Sequence, residues 1–484
     1  MPNNEFGDFQ TPLPLARRCL EVLGLPRHEA VRVLEPTCGT GTFLRAAQEH
    51  NPSSERFGLE INAEYAATAQ QYGTVLQADA FSYQFTDVPW RGAAPLFVVG
   101  NPPWVTAAEL RRLGSQNVPQ KVNFKGARGI DALLGSSNFD VCEYIIRKIV
   151  TEFAGENMRL GMLCKTHVAR NILAECYRAK IPITHATLYP IDAYYWFDAR
   201  VDACWFTLNI DPQTAADYTL SIRADLFDGA ETLVRRSGII NGTLVADINA
   251  YSPLQAADGA CPYTWRSGLK HDAVKVFEFQ ARPNIEPDYV FPLLKSTDIF
   301  HGQQKTTRRW ILVPQKTFGE DTAHLRRTAP KTWRYLLKNA TILDGRKSSI
   351  YRNQPRFSVF GHGDYTFAPL KVGCSGIHKE PRFQLVTPID GKPVVLNDTC
   401  YFLPFDNSTH AAIVTAILRS PECQAFINSL AFWDSKRPIT KKLLSRINLF
   451  ALPCDRSAVV VAAAAIAAEA GVPFDQAEAL NFYS

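Results

Sequence analysis

The sequence predicts an α/β protein in which a doubly wound, mostly parallel sheet is followed by a mixed α+β domain. Over the first 210 residues, short apolar runs alternate with helical patterns, which is typical of strand–helix–strand units. After Ile210 the alternation stops, and from Phe291 to Phe405 many short β-like runs are interrupted by Gly, Pro and Asn. Helical patterns return from about His410. We therefore expect the parallel sheet in the first part of the chain and the mixed domain in the second.

The predicted sheet has seven strands, each a short apolar run bounded by turn residues. The candidate strands are Val31–Leu34, Phe57–Ile61, Thr74–Gln77, Leu96–Gly100, Leu160–Cys164, His185–Tyr189 and Cys204–Ile210. The candidate helices are Pro14–Leu23, Thr42–His50, Ala63–Tyr72, Phe139–Phe153 and Val168–Ala179. Ligands of open α/β sheets bind outside the carboxyl ends of the strands, so the ends of the first four strands should form one crevice.

Length and pattern together indicate two domains. A chain of 484 residues is too long for one ordinary domain. The pattern changes between residues 211 and 290, where short strand candidates (Tyr218–Leu226 and Gly242–Ile248) no longer alternate with helices. We divide the chain into residues 1–250 and residues 251–484.

Composition indicates a globular protein of the cytoplasm. Hydrophobic residues make up 46% of the chain and charged residues 20%. Eleven cysteines are scattered without a CxxC spacing, and the histidines form no HxxxH pair, so we expect reduced thiols and no metal site. The N-terminus lacks a basic start followed by an apolar core, and the alanine-rich stretch Ser457–Ala467 is too short to span a bilayer. We therefore expect no membrane contact.

The basic residues are concentrated in one region of the second part. Between Lys295 and Phe357 there are six Lys and eight Arg against three Asp and one Glu, a net charge of +10, while the whole chain carries only +5. Such a region is typical of a surface that contacts a phosphate backbone, and the alternative is a solvated basic face.

A glycine turn and two polar strand ends predict a nucleotide-like cofactor. In VRVLEPTCGTGTFLRAA, Gly39 and Gly41 let the backbone turn tightly and approach a ligand. Glu60 ends the second strand, where a carboxylate typically accepts hydrogen bonds from ribose hydroxyls. Asp79 ends the third strand and is placed to bond an adenine amino group, with Phe81 beside it to stack on the ring. The turn lacks the GxGxxG spacing of a dinucleotide site, so we expect a ligand with one adenosine, and S-adenosylmethionine fits.

Four motifs of the chain resemble those of the class I methyltransferases that act on exocyclic amino groups, and more narrowly those of the gamma-class DNA adenine-N6 methyltransferases. In chain order they are LEPTCGTGTF, FGLEIN, ADAF and VVGNPPW. The resemblance implies S-adenosylmethionine as cofactor and a target-recognition domain after the catalytic domain. It implies that Thr11 contacts the methionine carboxylate and Glu35 the ammonium side. The cofactor motifs as a whole comprise Thr11, Pro12, Glu35, Pro36, Gly39, Gly41, Glu60, Ile61, Asp79, Ala80, Phe81 and Asn101. It also implies that GIDALLGSSNFDVCEYIIRK and LGMLCKTHVARNIL line the cofactor and target pockets.

The NPPW stretch fits the chemistry of methylating an adenine amine. The N6 lone pair is delocalised into the ring, and acceptors for both amine hydrogens would free it. Asn101 Oδ1 and the Pro102 carbonyl can supply these acceptors, and Pro102 and Pro103 fix successive φ angles. Trp104 offers a face for a flipped-out base. The resemblance implies that Phe197, which just precedes the last strand, closes the pocket from the other side.

In the second domain, Lys and Arg alternate with Ser and Tyr in a predicted DNA-contact strip. The expected contacts are Lys295, Arg346, Lys347, Ser348, Tyr351, Arg352, Lys436 and Arg437. In the first domain, Lys165 ends a strand on the active edge and is expected to touch phosphate.

The sequence leaves alternatives to duplex DNA open. The NPP signature is shared with enzymes that methylate adenine or guanine amines in RNA and glutamine amides in release factors, and a non-catalytic DNA-binding subunit of a defence system is a further alternative. The segment before the first strand and the large basic second domain favour DNA. We expect a monomer that acts as the modification part of a restriction–modification or phage-defence system, with any restriction endonuclease on a separate chain.

Overall fold

The computed structural model describes residues 9–106, 140–317 and 319–482. The chain divides into two compact units, Met1–Asn249 and Ala250–Ser484. The first part of the predicted pocket-lining segment GIDALLGSSNFDVCEYIIRK, residues 129–139, lies outside the described residues. None of the described helices is long and apolar enough to cross a membrane.

The described part of the first unit is built on a ten-stranded sheet. Its strands are β1 Arg32–Glu35, β2 Glu55–Glu60, β3 Thr74–Gln77, β4 Leu96–Gly100, β5 Met158–Lys165, β6 Ile183–Ile191, β7 Ala203–Ile210, β8 Thr219–Arg223, β9 Leu233–Ile240 and β10 Thr243–Val245. The strand order is β10-β9-β8-β6-β7-β5-β4-β1-β2-β3. Strands β3, β2, β1, β4 and β5 run parallel, and β7 is antiparallel to both β5 and β6.

This architecture confirms the predicted doubly wound, mostly parallel sheet of a class I methyltransferase fold. All seven predicted strands are present, and β8 to β10 extend the sheet beyond β6. The extension begins where β8 pairs in parallel with β6, and Leu220 of β8 is fully buried there. The two strand candidates after Ile210 therefore enlarge the first sheet, which the loss of strand–helix alternation did not indicate.

Helices separate the strands of the first unit. They are α1 Leu13–Leu23, α2 Thr42–His50, α3 Ala63–Ala69, α4 Val141–Glu152, α5 Thr166–Ala179, α6 Ala193–Phe197 and α7 Ile248–Tyr251. Asp140 caps α4 by accepting a hydrogen bond from the Cys142 amide at 3.0 Å. The apolar faces of α1, α2, α4, α5 and α6 join the strands in one core, whereas α3 packs in a smaller cluster with Val75 of β3. Every residue of β4 is buried. A strand buried on both faces is typical of the centre of a parallel sheet.

The described part of the second unit contains two four-stranded sheets, with helices both between the strands and after them. Its strands are β11 Arg266–Ser267, β12 Glu278–Phe279, β13 Val290–Leu294, β14 Trp310–Leu312, β15 Leu370–Ser375, β16 Phe383–Val386, β17 Val395–Leu396 and β18 Cys400–Phe405. The sheet orders are β11-β18-β15-β16 and β12-β14-β13-β17. Its helices are α8 Val274–Phe277, α9 Ser296–Phe300, α10 Leu325–Thr328, α11 Pro330–Lys338, α12 Ala340–Asp344, α13 Ser408–Arg419, α14 Pro421–Leu430, α15 Lys441–Leu444, α16 Arg456–Ala470 and α17 Gln476–Leu480. This confirms the predicted mixed α+β domain.

Candidate active site

A cavity of about 110 Å³ opens at the carboxyl ends of β1, β2 and β4 and beside the segment that follows β3. Of the predicted cofactor residues, those in its lining are Thr11, Glu35, Pro36, Gly39, Glu60, Ile61, Asp79, Ala80, Phe81 and Asn101. Pro12 and Gly41 lie outside the lining, and so do Pro102, Trp104 and Phe197, whereas Pro103 contributes to it. The parallel sheet therefore brings together strand ends that lie up to 66 positions apart in the sequence, from Glu35 to Asn101.

The glycine turn after β1 follows a path that side chains rarely permit. Gly39 has φ +52° and Gly41 has φ +84°, both in the left-handed region. A Cβ on Gly39 would lie 2.9 Å from Gln10 Oε1, and a Cβ on Gly41 would lie 2.9 Å from the Cβ of Ala69. Gly39 therefore makes room for the segment before α1, whereas Gly41 allows close packing of the turn on α3.

Glu60 fixes the turn against the next strand end. Its Oε2 accepts a hydrogen bond from the Gly39 amide at 2.8 Å, and its Oε1 accepts one from the Asn62 amide at 2.8 Å. A carboxylate has about four acceptor positions, so hydrogen bonds to two amides are compatible with a carboxylate that also accepts from ligand hydroxyls. Glu60 thus has a structural role that its strand-end position did not reveal.

Asp79 and Phe81 line the cavity in the segment that follows β3. Asp79 Oδ1 accepts a hydrogen bond from the Phe81 amide at 2.9 Å, which sets the direction of the loop after β3. The Phe81 ring is half-buried and packs edge-on against Tyr144 with ring centroids 5.4 Å apart. Ile61 also lines the cavity and is 42% exposed, which is high for an isoleucine. An apolar ring and an exposed aliphatic side chain near one carboxylate suit a planar polar heterocycle.

Glu35 is a buried carboxyl in the cavity wall. It is 3% exposed, and its Oε2 accepts a hydrogen bond from the Leu44 amide at 3.2 Å. Burial raises its pKa well above the usual value, the Leu44 amide opposes this, and the charge of Glu60 adds to it. A cationic ligand group in the cavity would compensate the buried charge.

Only one of the two polar atoms of the Asn101 amide has a hydrogen-bond partner among the described residues. Its Nδ2 donates to the Phe9 carbonyl at 3.0 Å, and since a carbonyl only accepts, this bond sets the orientation of the amide. Its Oδ1 is buried and has no hydrogen-bond partner among the described residues. A buried acceptor without a donor is costly, which points to a donor supplied by a ligand.

Trp104 and Phe197 contact each other and Phe9. The ring centroids of Trp104 and Phe197 are 5.2 Å apart at 73°, and Phe9 lies 5.5 Å from Trp104 and 5.6 Å from Phe197. Two ring contacts with an intervening base need about 7 Å between the flanking rings. The structure therefore does not hold Trp104 and Phe197 as an open sandwich. Trp104 is also anchored, because its Nε1 donates to the Leu163 carbonyl at 3.2 Å.

Lys165 has a structural role in place of the predicted phosphate contact. Its Nζ donates to the Trp104 carbonyl at 2.8 Å and to Asp140 Oδ2 at 2.9 Å. The Asp140 side chain is only 5% exposed and the Lys165 side chain 17%. The pair therefore ties the end of the NPPW stretch to the start of α4.

Replacing Lys165 with Met leaves the buried Asp140 carboxylate without its cation. We expect the free energy of unfolding to fall by about 3–5 kcal/mol, measured by urea denaturation. The double change K165M/D140N should recover part of this loss, because Asn still caps α4 and carries no charge. The control is Arg17→Met, whose partner Glu49 is partly exposed, and it should cost less than about 1 kcal/mol. Equal losses for K165M and R17M would contradict the assigned role.

Several cavity residues were not among the individually predicted cofactor residues. They are Phe9, Gln10, Thr37, Cys38, Thr42, Leu59, Asn62, Tyr65, Ala78, Val141 and Ile145. Gln10 bonds Thr40 Oγ1 through its Oε1 at 2.9 Å, which holds the segment before α1 against the glycine turn. Thr37, Cys38 and Thr42 lie inside the motif LEPTCGTGTF, and Gln10 directly precedes Thr11, so the sequence already pointed to these positions. Val141 and Ile145 belong to GIDALLGSSNFDVCEYIIRK, which the resemblance implied as a pocket-lining segment, and both line the cavity.

The predicted DNA-contact residues of the second unit divide into two groups. Lys347, Arg352 and Lys436 are exposed and form no ion pair among the described residues, and Ser348 is half-buried. The Arg346 guanidinium group is engaged inside the unit. It donates to the carbonyls of Leu343, His271 and Ser358, and its Cζ lies 3.8 Å from the Tyr351 ring centroid. The remaining two cations have carboxylate partners: Lys295 pairs with Glu278 and Arg437 with Asp398. Arg346 and Tyr351 thus serve the fold, which charge pattern alone could not distinguish.

The sheet order, the glycine turn and the carboxylates at the strand ends define the chain as a class I S-adenosylmethionine-dependent methyltransferase. The comparison with known proteins specifies the family. The Type II methyltransferase M.NspV of Nostoc sp. is 37% identical to this chain over 467 residues, which cover 92% of this chain and 96% of the relative. The chain therefore belongs to the type II methyltransferases, the DNA methyltransferases of restriction–modification systems.

Other relatives are more distant. The Modification methylase CviBIII of Paramecium bursaria Chlorella virus NC1A is 22% identical over 183 residues, 38% of this chain and 44% of that protein. The solved structure of MmeI, a type IIL restriction–modification enzyme in complex with DNA, matches 99% of this chain and 71% of its own with a TM-score of 0.59 at 14% identity. This likeness supports the fold. No family model matches the chain.

Proposed function

We propose that this methyltransferase transfers the methyl group of S-adenosylmethionine to the N6 atom of an adenine in duplex DNA. The observation that carries the proposal is the buried Asn101 Oδ1, which lacks a hydrogen-bond partner among the described residues and belongs to a residue of the cavity lining. An exocyclic amine is a donor that this acceptor can take.

The chemistry follows from the nature of the amine. Asn101 Oδ1 and the Pro102 carbonyl accept the two N6 hydrogens and draw the nitrogen toward tetrahedral geometry, which localises its lone pair. S-adenosylmethionine supplies an activated methyl group on sulfur. As the new N–C bond forms, the S–C bond breaks with its electron pair on sulfur, and the nitrogen then loses one proton to solvent. The Phe9 carbonyl fixes the Asn101 amide and Lys165 fixes the Trp104 carbonyl, two residues after Pro102, which supports acceptors that are preorganised for the reaction.

We assign one partner in the cavity lining to each part of the cofactor. We assign Glu60 to the ribose hydroxyls, Asp79 to the adenine amine, and Phe81 and Ile61 to the ring faces. Glu35 would hold the ammonium group, and Thr11, which is 8% exposed, would contact the carboxylate. Thr37 Oγ1 also lines the cavity and has no partner among the described residues, so it offers one further polar contact.

Binding of S-adenosylmethionine should depend on pH through Glu35. Its raised pKa means that the free protein retains the proton at pH values where an ordinary glutamate is ionised. The ammonium group favours the ionised form, so the Kd should fall by up to about tenfold per pH unit as pH rises toward that pKa and then level off. Isothermal titration at several pH values measures this. The Glu35→Gln variant should lose this component of the pH dependence, whereas the exposed control Glu49→Gln should keep it. An unchanged profile in E35Q would contradict the assignment.

Entry of the base requires the aromatic cluster of Phe9, Trp104 and Phe197 to open. Trp104 is buried and anchored by its indole N–H, so we assign the movement to Phe9 and Phe197, which are both partly exposed. The base would then stack on Trp104 with the edge of Phe197 against it. The second unit would supply target recognition, and a restriction endonuclease on a separate chain would complete the system.

Labelling with tritiated S-adenosylmethionine tests the substrate class. Unmethylated duplex DNA, RNA and a protein extract are incubated in parallel with the wild-type protein and with Asn101→Ala. We expect label in DNA with the wild type and near-background label with the variant. Label in RNA or protein and none in DNA would overturn the proposal.

A further inference from the structure

Helix α11, Pro330–Lys338, carries three cations on one face. At 100° per residue, Lys331, Arg334 and Lys338 fall within about 60° of one another around the helix axis. All three are exposed, whereas Thr332, Trp333 and Leu336 on the opposite side are buried. We call Lys331, Arg334 and Lys338 the cationic stripe. None of them belongs to the contact residues that the sequence motifs indicated.

The three side chains of the cationic stripe have no ion-pair partner among the described residues. Other cations of the unit do form ion pairs, such as Arg309 with Asp298 and Arg356 with Asp344. Arg334 Nε donates only to the Pro330 carbonyl of its own helix, at 3.4 Å. Unpaired cations repel one another, so their concentration on one helix face is a cost without a counter-charge.

The carboxylates near the cationic stripe, Glu286 and Asp344, interact with other groups. Glu286 accepts hydrogen bonds from the amides of Lys331 and Thr332 and from Thr332 Oγ1, which holds its charge at the first turn of α11. These bonds lower the pKa of Glu286 to about 2 against the opposing effect of burial. Between residues 325 and 347 the chain has seven basic residues and one acidic residue, Asp344, which is paired with Arg356. The stripe therefore presents positive charge outward.

The dimensions of the stripe suit a nucleic-acid backbone. Lys331 and Lys338 are separated by about 10 Å along the helix axis at 1.5 Å per residue. Phosphates of one DNA strand rise by about 3.4 Å each along the duplex axis, so the stripe spans about three of them. Flexible Lys and Arg side chains reach phosphates over this distance without needing a fixed base sequence.

We propose that the cationic stripe on α11 binds the phosphate backbone of duplex DNA and positions the duplex without reading its bases. This inference rests on the proposed function, because it takes duplex DNA as the substrate. It assigns to α11 a contact surface distinct from the exposed residues Lys347, Arg352 and Lys436.

The test is a triple variant in the full-length protein, K331Q/R334Q/K338Q, against a charge-matched control, K275Q/K379Q/K441Q, whose three lysines are exposed and form no ion pair among the described residues. Fluorescence anisotropy with an unmethylated duplex gives the Kd at several salt concentrations. We expect the stripe variant to bind on the order of 10–100-fold more weakly at about 0.1 M salt, with the slope of log K against log salt reduced by about one unit per cation. The control should bind like the wild type, and thermal unfolding should show that both variants are folded.

The outcomes separate this inference from the proposed function. Equal affinity and salt slope in the stripe variant and the control would overturn the inference while leaving methylation of adenine intact. A wild type that binds duplex DNA through the stripe but transfers no methyl group to adenine would overturn the proposed function alone. A variant weakened for every duplex sequence to the same degree supports backbone positioning, whereas weakening confined to one sequence would overturn it.

Discussion

Replacing Asn101 with Ala should lower kcat for DNA methylation by about 10²–10³-fold. The Asn101 amide is oriented by its bond to the Phe9 carbonyl, and its Oδ1 is the buried acceptor left for the substrate amine. Alanine removes this acceptor and leaves the amine lone pair delocalised in the ring. Single-turnover kinetics with saturating enzyme and cofactor isolate the chemical step from binding.

We expect Asn101→Ala to lower the rate of methyl transfer more than the affinity for DNA. Asn101→Asp is the informative comparison, because a carboxylate keeps an acceptor but places a negative charge against the Phe9 carbonyl. We expect Asn101→Asp to be impaired but more active than Asn101→Ala. If Asn101→Ala lost activity only through a higher KM for DNA, with kcat unchanged, the assigned role in amine activation would be wrong.

Replacing Glu60 with Ala should raise the Kd for S-adenosylmethionine by about 100-fold. The Glu60 carboxylate holds the amides of Gly39 and Asn62, so its removal loosens the glycine turn in addition to losing the proposed ribose contact. Hydrogen bonds to a charged group contribute about 1.5–3 kcal/mol each, and about 2.7 kcal/mol corresponds to 100-fold. Isothermal titration calorimetry gives the Kd directly.

Glu60→Gln provides the matched control for this effect. Glutamine keeps one acceptor oxygen at the same place, so we expect a loss of about tenfold, between wild type and Glu60→Ala. A Glu60→Ala protein that is folded and binds S-adenosylmethionine with native affinity would contradict the placement of the cofactor beside Glu60.

The sequence predicted the sheet and the convergence of its strand ends because both follow from local periodicity. Apolar runs such as Leu96–Gly100 are buried in the structure, and parallel pairing then puts Glu35, Glu60 and Asn101 at one edge. The alternation of strands and helices carried this information without any knowledge of side-chain contacts. The addition of β8 to β10 escaped prediction because it depends on pairing across the edge at β6.

Contacts between segments far apart in the sequence could not be predicted. The bond between Asn101 and the carbonyl of Phe9 joins residues 92 positions apart, and no motif indicates it. The sequence likewise could not show which basic side chains are exposed and which are engaged within the fold. Arg346 and Lys331 are both cations in one basic region, but packing places Arg346 among backbone carbonyls and leaves Lys331 exposed.

The most direct test of the central claim identifies the methylated nucleoside. Unmethylated duplex DNA is treated with the wild-type protein and S-adenosylmethionine, digested to nucleosides and analysed by mass spectrometry beside a control without the protein. We predict N6-methyl-2′-deoxyadenosine as the product, absent when Asn101 is replaced by Ala. Methyl groups found on cytosine alone, or in no nucleoside of the duplex, would contradict adenine N6 as the acceptor.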